Sequence, residues 1–229
     1  MNAYRRRTMM PFACWICVAA LLAPPAFAAP ALSEAVQGEL DRAVVAYESG
    51  RHAEARTAFE ALALRGVPAA QYNLAVMHLR DELPQADRGL ARRLLTRAAE
   101  GGFVTAQFML AQALENGEFG ARDLALAHRW YEVAATGGSV DAQVAMGTGH
   151  YLGRGLKKDL AQAAHWFREA AKGGDVGAQY LLASMYEQGD GVERDLRLAR
   201  YWYAIAASNG DEAAPAKLRQ LDTPPAPAR

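Results

Sequence analysis

Five histidines and one cysteine pair are the side chains of this 229-residue chain best suited to metal or redox chemistry. His52, His78, His128, His150 and His165 are scattered, and no H-E-x-x-H sets two of them on one helical face. Cys14 and Cys17 have the C-x-x-C spacing of a redox dithiol, but they lie within an apolar run near the N-terminus. The sequence contains no G-x-x-x-x-G-K-[ST] phosphate loop, no G-x-S-x-G elbow and no Ser-x-x-Lys nucleophile. Gly147-Thr148-Gly149 and Gly153-Arg154-Gly155 lack the preceding strand that a dinucleotide site requires. The expectation is a protein that is not an enzyme, with no catalytic residue, no metal and no cofactor.

The N-terminus explains the cysteines. Arg5-Arg6-Arg7, an apolar run from Phe12 to Leu22, Pro24-Pro25 and the small-x-small Ala26-Phe27-Ala28 read as a secretory signal peptide over residues 1–28. A spanning helix needs about 20 apolar residues, more than this run supplies; an uncleaved anchor is the alternative to cleavage, and after cleavage no stable membrane insertion is expected. Loss of three of the 25 basic residues leaves 22 against 25 acidic, a net charge of −3, and a chain without cysteine. That balance points away from nucleic acid. The mature protein is expected in the periplasm or outside the cell, held together by packing alone. Hydrophobic residues at 52% supply enough material for a core.

The remaining chain is periodic. Ala-Gln recurs at 70–71, 106–107, 142–143 and 178–179, always 36 residues on. Asp87, Asp123, Asp159 and Asp195 keep the same beat, as do Ala91, Ala127, Ala163 and Ala199. Trp130, Trp166 and Trp202 recur with Leu94 in the first slot, and glycines fall at 66, 102, 138, 174 and 210. Within a unit, Ala178, Leu182 and Tyr186 mark one helical face, glycines stop the helix, and Asp195 stands where an N-cap belongs. A second face follows through Ala199, Trp202 and Ala206. Such a hairpin cannot bury its apolar face alone, so the units must stack.

These residues resemble the Sel-one-like repeat family, a relative of the tetratricopeptide repeat. The units are 70–105, 106–141, 142–177 and 178–213, and the last two match the family pattern best. In the unit at 106, Phe119 takes the second loop-glycine slot; in the unit at 70, Asp81-Glu82-Leu83-Pro84 replaces the glycine loop. Residues 33–66 resemble a tetratricopeptide hairpin through Gly50, Ala55 and Phe59, residues 211–221 suit a capping helix, and 222–229 are expected to be a disordered, Pro-rich tail. The resemblance implies an all-α fold, a right-handed α-solenoid of stacked antiparallel helix hairpins.

It also implies a partner surface on the first helices, which line the concave side of such arrays. Two residues after the repeat alanine stand Tyr72, Phe108, Val144 and Tyr180; six after, Val76, Gln112, Thr148 and Ser184; nine after, Leu79, Glu115, Tyr151 and Glu187. Tyr72, Val76, Phe108, Gln112, Thr148, Tyr151, Tyr180 and Ser184 are the candidate partner-binding residues, and the aromatic row has an equal claim to be groove or inter-repeat core. The implied function is an exported protein–protein interaction scaffold, adaptor or regulator of an envelope process, holding a protein or peptide. Two other readings stand beside it, a β-lactamase-like or cell-wall-active enzyme and a peptidoglycan-binding module; the enzyme branch of the family carries paired cysteines absent here. Trp130, Trp166 and Trp202 are expected in the core, His128 and His165 at the solvated surface. His78 and His150 share a slot two repeats apart, roughly 20 Å or more at about 8–10 Å per packed helix, too far to share a metal.

Overall fold

Glycine and Asp recur so often that every helix of the repeats is held to 13 residues or fewer. A computed structural model describes residues 32–222; residues 1–31, with the expected signal peptide, and the tail from 223 lie outside it. Among the described residues every regular element is a helix: α1 (Glu34–Glu48), α2 (His52–Leu64), α3 (Pro68–Leu79), α4 (Arg88–Glu100), α5 (Val104–Asn116), α6 (Leu124–Thr136), α7 (Val140–Leu152), α8 (Leu160–Lys172), α9 (Val176–Gln188), α10 (Leu196–Ser208) and α11 (Ala214–Asp222). Each helix packs chiefly on its neighbours in sequence, an α-solenoid of helical hairpins closed at one end by α11.

The second helices begin where the aspartates sit. Asp87, Asp123 and Asp159 accept the amides of Leu90, Leu126 and Gln162 at 3.0, 2.9 and 3.0 Å, and Asp195 accepts those of Arg197 and Leu198. These bonds satisfy donors that a helix start leaves open. The first helices end on Gly117, Gly153 and Gly189 at φ 75°, 70° and 83°, left-handed backbone that costs glycine little. In the divergent repeat this position is Asp81, at φ 55°. The second loop glycine serves a different end. A Cβ on Gly191 would lie 2.1 Å from the Leu160 carbonyl oxygen, so its loop rests directly on the preceding repeat.

Two buried rows run the length of the array. Ala55, Ala91, Ala127, Ala163 and Ala199 are fully buried and let the helices close up. Beside them Phe59, Leu95, Tyr131, Phe167 and Tyr203, again 36 apart, supply the bulk. Both rows reach back into the 33–66 hairpin, which shares one core cluster with the first two repeats. That cluster ends at Met146 on α7, and a second begins at Ala163 on α8. The seam falls where α7 carries Gly147 and Gly149, and the ring of Phe167 would lie 2.7 Å from a Cβ on Gly147.

The Ala-Gln signature has a direct structural reason. Gln71, Gln107, Gln143 and Gln179 are buried, and each Nε2 donates to a main-chain oxygen eight residues back. The acceptors are Ala63, Ala99, Ala135 and Ala171, at 3.3, 3.1, 3.1 and 3.2 Å. Each acceptor lies in the last turn of the preceding second helix, where carbonyls lack helical partners. Gln179 also accepts from Asn209 Nδ2 at 3.0 Å, whereas the buried Oε1 of Gln143 has no partner.

Two expectations are corrected. Trp130, Trp166 and Trp202 are half-buried and pack on the margin of the core; the residue after each, Tyr131, Phe167 or Tyr203, fills it. Adjacent helix positions point about 100° apart, and the packed neighbours on both sides of the second helix select the later one. His128 is buried, not solvated: its Nδ1–H donates to the Leu124 carbonyl at 2.6 Å, and Gly155 fits against the ring because it has no side chain.

Truncation of Phe167 to Ala is therefore expected to cost about 3–5 kcal/mol and of half-buried Trp166 about 1–3 kcal/mol, a ranking that urea denaturation of the two variants measures. Gln179→Leu should cost about 1–3 kcal/mol, because it abandons one buried and one part-buried hydrogen bond, while Gln143→Leu, which also removes an unpaired oxygen, should cost about 1 kcal/mol or less. Equal losses from the two glutamines in the same denaturation series would contradict this account.

Candidate functional site

The first helices α3, α5, α7 and α9 present the candidate residues, and the second helices brace them from behind. Tyr72, Phe108, Val144 and Tyr180 are all half-buried. Phe108 leans on the buried ring of Tyr131 at 5.7 Å between centroids, Tyr180 on Tyr203 at 5.2 Å, and Tyr151 on Phe167 at 6.4 Å. Tyr72 packs on Phe103 at 5.2 Å. Each ring thus has one side in the core and the other accessible, so groove and core share the row. Tilted and edge-on pairs of this kind hold rings in fixed orientations.

The six-after slot divides. Gln112 is exposed, and Thr148 and Ser184 are half-buried, with Ser184 Oγ accepting from Gln188 at 2.9 Å. Val76 differs from the later residues of its slot: at 8% exposure it is buried on α3, though it lies outside the apolar clusters, so little of it reaches solvent. The polar residues of the later repeats in the same slot keep contact with water.

The nine-after slot holds a pairing that periodicity alone does not reveal. Tyr131 donates its phenol proton to Glu115 at 2.8 Å, and Tyr203 donates to Glu187 at 2.7 Å. In the other two repeats the partners change together, to Leu79 with Leu95 and Tyr151 with Phe167. A glutamate occurs only where the residue sixteen later is a tyrosine, and that spacing was the available signal. A cation from farther along the array completes each pair: Arg154 lies 3.3 Å from Glu115, and Lys217 lies 3.1 Å from Glu187. Burial raises both phenol pKa values, and the adjoining carboxylates raise them further. Burial alone would raise the Glu187 carboxyl, but the Tyr203 phenol and the Lys217 ammonium outweigh it and leave it below its ordinary value.

The divergent segment at Arg80 to Pro84 joins units. Glu82 accepts from Tyr47 of the first hairpin at 3.0 Å, Arg80 donates to the same phenol at 3.1 Å, and Leu83 is buried. Nearby, the Asp87 amide donates to His78 Nδ1 at 3.1 Å, so this imidazole works as a neutral acceptor. His150, in the same slot, has a buried Nδ1 with no partner, and the Asp159 amide donates to its carbonyl instead. Among the described residues no group of three or more His, Cys, Asp or Glu side chains could hold a metal ion, and no helix is long and apolar enough to cross a membrane.

Burial lowers the His78 pKa below 6.5, opposed in part by Asp87 and Glu60 and aided by Arg56. Folding thus favours the neutral ring. The stability it contributes is fully present above pH 6.5 and is lost as pH falls through 6.5 towards the lower folded value. The denaturation midpoint should therefore decline across that window, and His78→Gln should flatten this part of the pH profile. An unchanged profile in the variant would overturn the assignment.

Comparison with known proteins agrees with this geometry. The Sel1 repeat family model matches residues 68–103, 104–139, 140–175 and 176–211, each unit opening two residues before its Ala-Gln pair. A protective antigen present in uropathogenic Escherichia coli strains, a solved structure displaying an SLR fold, superposes with a TM-score of 0.74 and 29% identity, over 81% of this chain and 41% of its own. A Sel1 repeat protein from Oxalobacter formigenes gives 0.69 and 34%, over 74% of this chain and 49% of its own. One from Klebsiella pneumoniae gives 0.50 and 25%, over 82% and 93%. The chain therefore spans less than half the length of the first two. A search of curated proteins gives no match. Sel1-repeat proteins are generally non-enzymatic scaffolds for protein interactions. With four matched repeats covering most of its described residues, this chain belongs to the Sel1 repeat family.

Proposed function

We propose that the chain is an exported, non-enzymatic scaffold that holds a protein or peptide along its first-helix row in an envelope process. The observation that carries this reading is the bracing of that row. Phe108, Tyr151 and Tyr180 each rest on a buried ring, so a partner meets aromatic surface already fixed in place. Preorganised aromatic side chains bind with a small entropy cost, and such residues dominate interface energetics. Gln112, Thr148 and Ser184 set hydrogen-bonding groups along the same helices, as recognition of a peptide or partner helix demands. The contact surface comprises Tyr72, Phe108, Gln112, Thr148, Tyr151, Tyr180 and Ser184, without Val76. Export rests on the basic, apolar and small-x-small order of residues 1–28.

A photo-crosslinking amino acid at Gln112 or Thr148 is expected to trap one defined partner in intact cells, while the same group at the loop position Lys157 traps none. The trapped chain should come from the periplasmic fraction and begin at Ala29. Crosslinks that are equal at all three positions would remove the first-helix reading, and an intact Met1 would remove export. Because Phe108 and Tyr180 also serve the core, polar positions are the cleaner probes.

A further inference from the structure

Among the described residues many surface cations have a carboxylate or another acceptor at hand, as in Arg56 with Glu60, Arg65 with Glu39 and Lys172 with Glu169. Helix α4 gathers four that do not. Arg88, Arg92, Arg93 and Arg97 are all exposed, and none enters an ion pair or side-chain hydrogen bond among the described residues. Of the carboxylates on or beside α4, Asp87 accepts the Leu90 amide and interacts with Arg93 only at longer range, and Glu100 stands at the far end. Arg88 occupies the first helical position, where the macrodipole disfavours a cation. Arg88 with Arg92 and Arg93 with Arg97 are like-charge pairs four apart, which also weaken a helix. The repeat pattern does not require them, because the same slots in α8 hold Leu160, Ala164, His165 and Glu169.

We propose that the outer face of α4 is a docking strip for an extended run of consecutive acidic residues in a partner protein. At 3.6 residues per turn, Arg88 and Arg92 form one flank, Arg93 and Arg97 the other, and Gly89 and Thr96 lie between them. The strip is about 14 Å long at 1.5 Å per residue, room for roughly four residues of extended chain at about 3.3 Å each. Side chains of an extended peptide alternate in direction, so successive carboxylates reach opposite flanks. Guanidinium forks match carboxylates two bonds at a time. A membrane surface fits less well, since none of the exposed large hydrophobic side chains lies on α4. A long polyanion fits less well too, because over the described residues acids outnumber bases and it would leave the strip onto a net negative surface. The strip lies on a second helix and does not depend on the first-helix row.

The test is fluorescence anisotropy with a labelled hexaglutamate peptide and its hexaglutamine counterpart on the purified chain. Hexaglutamate should bind, more weakly as salt rises, and hexaglutamine should not. Arg88→Gln with Arg92→Gln, or Arg93→Gln with Arg97→Gln, should weaken binding about tenfold or more, while Lys157→Gln with Lys158→Gln changes it less than about twofold. Both arginine double variants should melt no lower than the parent, since they relieve repulsion. Equal weakening by the lysine control would reduce the effect to net charge and overturn the proposal. So would tighter binding to phosphatidylglycerol vesicles or to a single-stranded oligonucleotide than to hexaglutamate, or a melting point lowered by the arginine changes.

Discussion

At every boundary between hairpins the same glutamine amide bridges one unit to the next. A helix that ends inside a protein leaves carbonyl oxygens without partners, and here the glutamine of the next first helix supplies one. The oxygen also accepts the amide of the turn glycine, as Ala99 does from Gly102. Turn, second-helix end and next first helix are thereby fixed together. Since this joint recurs at every boundary, the alanine and aromatic rows fall into line behind it, and the 36-residue period becomes a requirement of stacking. A glutamine shifted by one residue would turn away from its carbonyl, and the bond that ties one unit to the next would be lost.

Much of this was legible in the sequence, because a repeat states its own constraints several times. Asp195 could be read as an N-cap and Gly189 as a helix stop from local chemistry alone. The tryptophans could not be placed the same way. Trp166 and Phe167 recur with equal regularity, and the choice between them depends on how α8 is rotated against neighbours on both sides, which no single helix encodes. Val76 illustrates the same gap, since its slot is exposed at Gln112 and buried one repeat earlier. The Glu115–Tyr131 and Glu187–Tyr203 bonds link the two helices of a hairpin, so periodicity of either helix alone hides them.

The candidate surface follows from a division of labour within each hairpin. Both helices of a hairpin contribute to the core; the second helices supply the large inner rings Tyr131, Phe167 and Tyr203, and the first helices add residues that are half core and half surface. Chemistry can therefore vary along the first helices without dismantling the stack, provided the ring behind each varied residue stays in place. Repeats 106–141 and 178–213 fasten a glutamate to that inner ring, whereas 142–177 fastens a tyrosine. The surface thus changes character from one unit to the next on a constant frame.

The glycines at 147 and 149 make α7 depend on its surroundings. Two glycines in one helix lower its intrinsic stability by about 2 kcal/mol relative to alanine. What they give up in isolation is recovered in contact, because the rings of Phe167 and His128 stand close to where their side chains would be. The first helix of the third repeat is thus kept helical chiefly by its neighbours on α6 and α8.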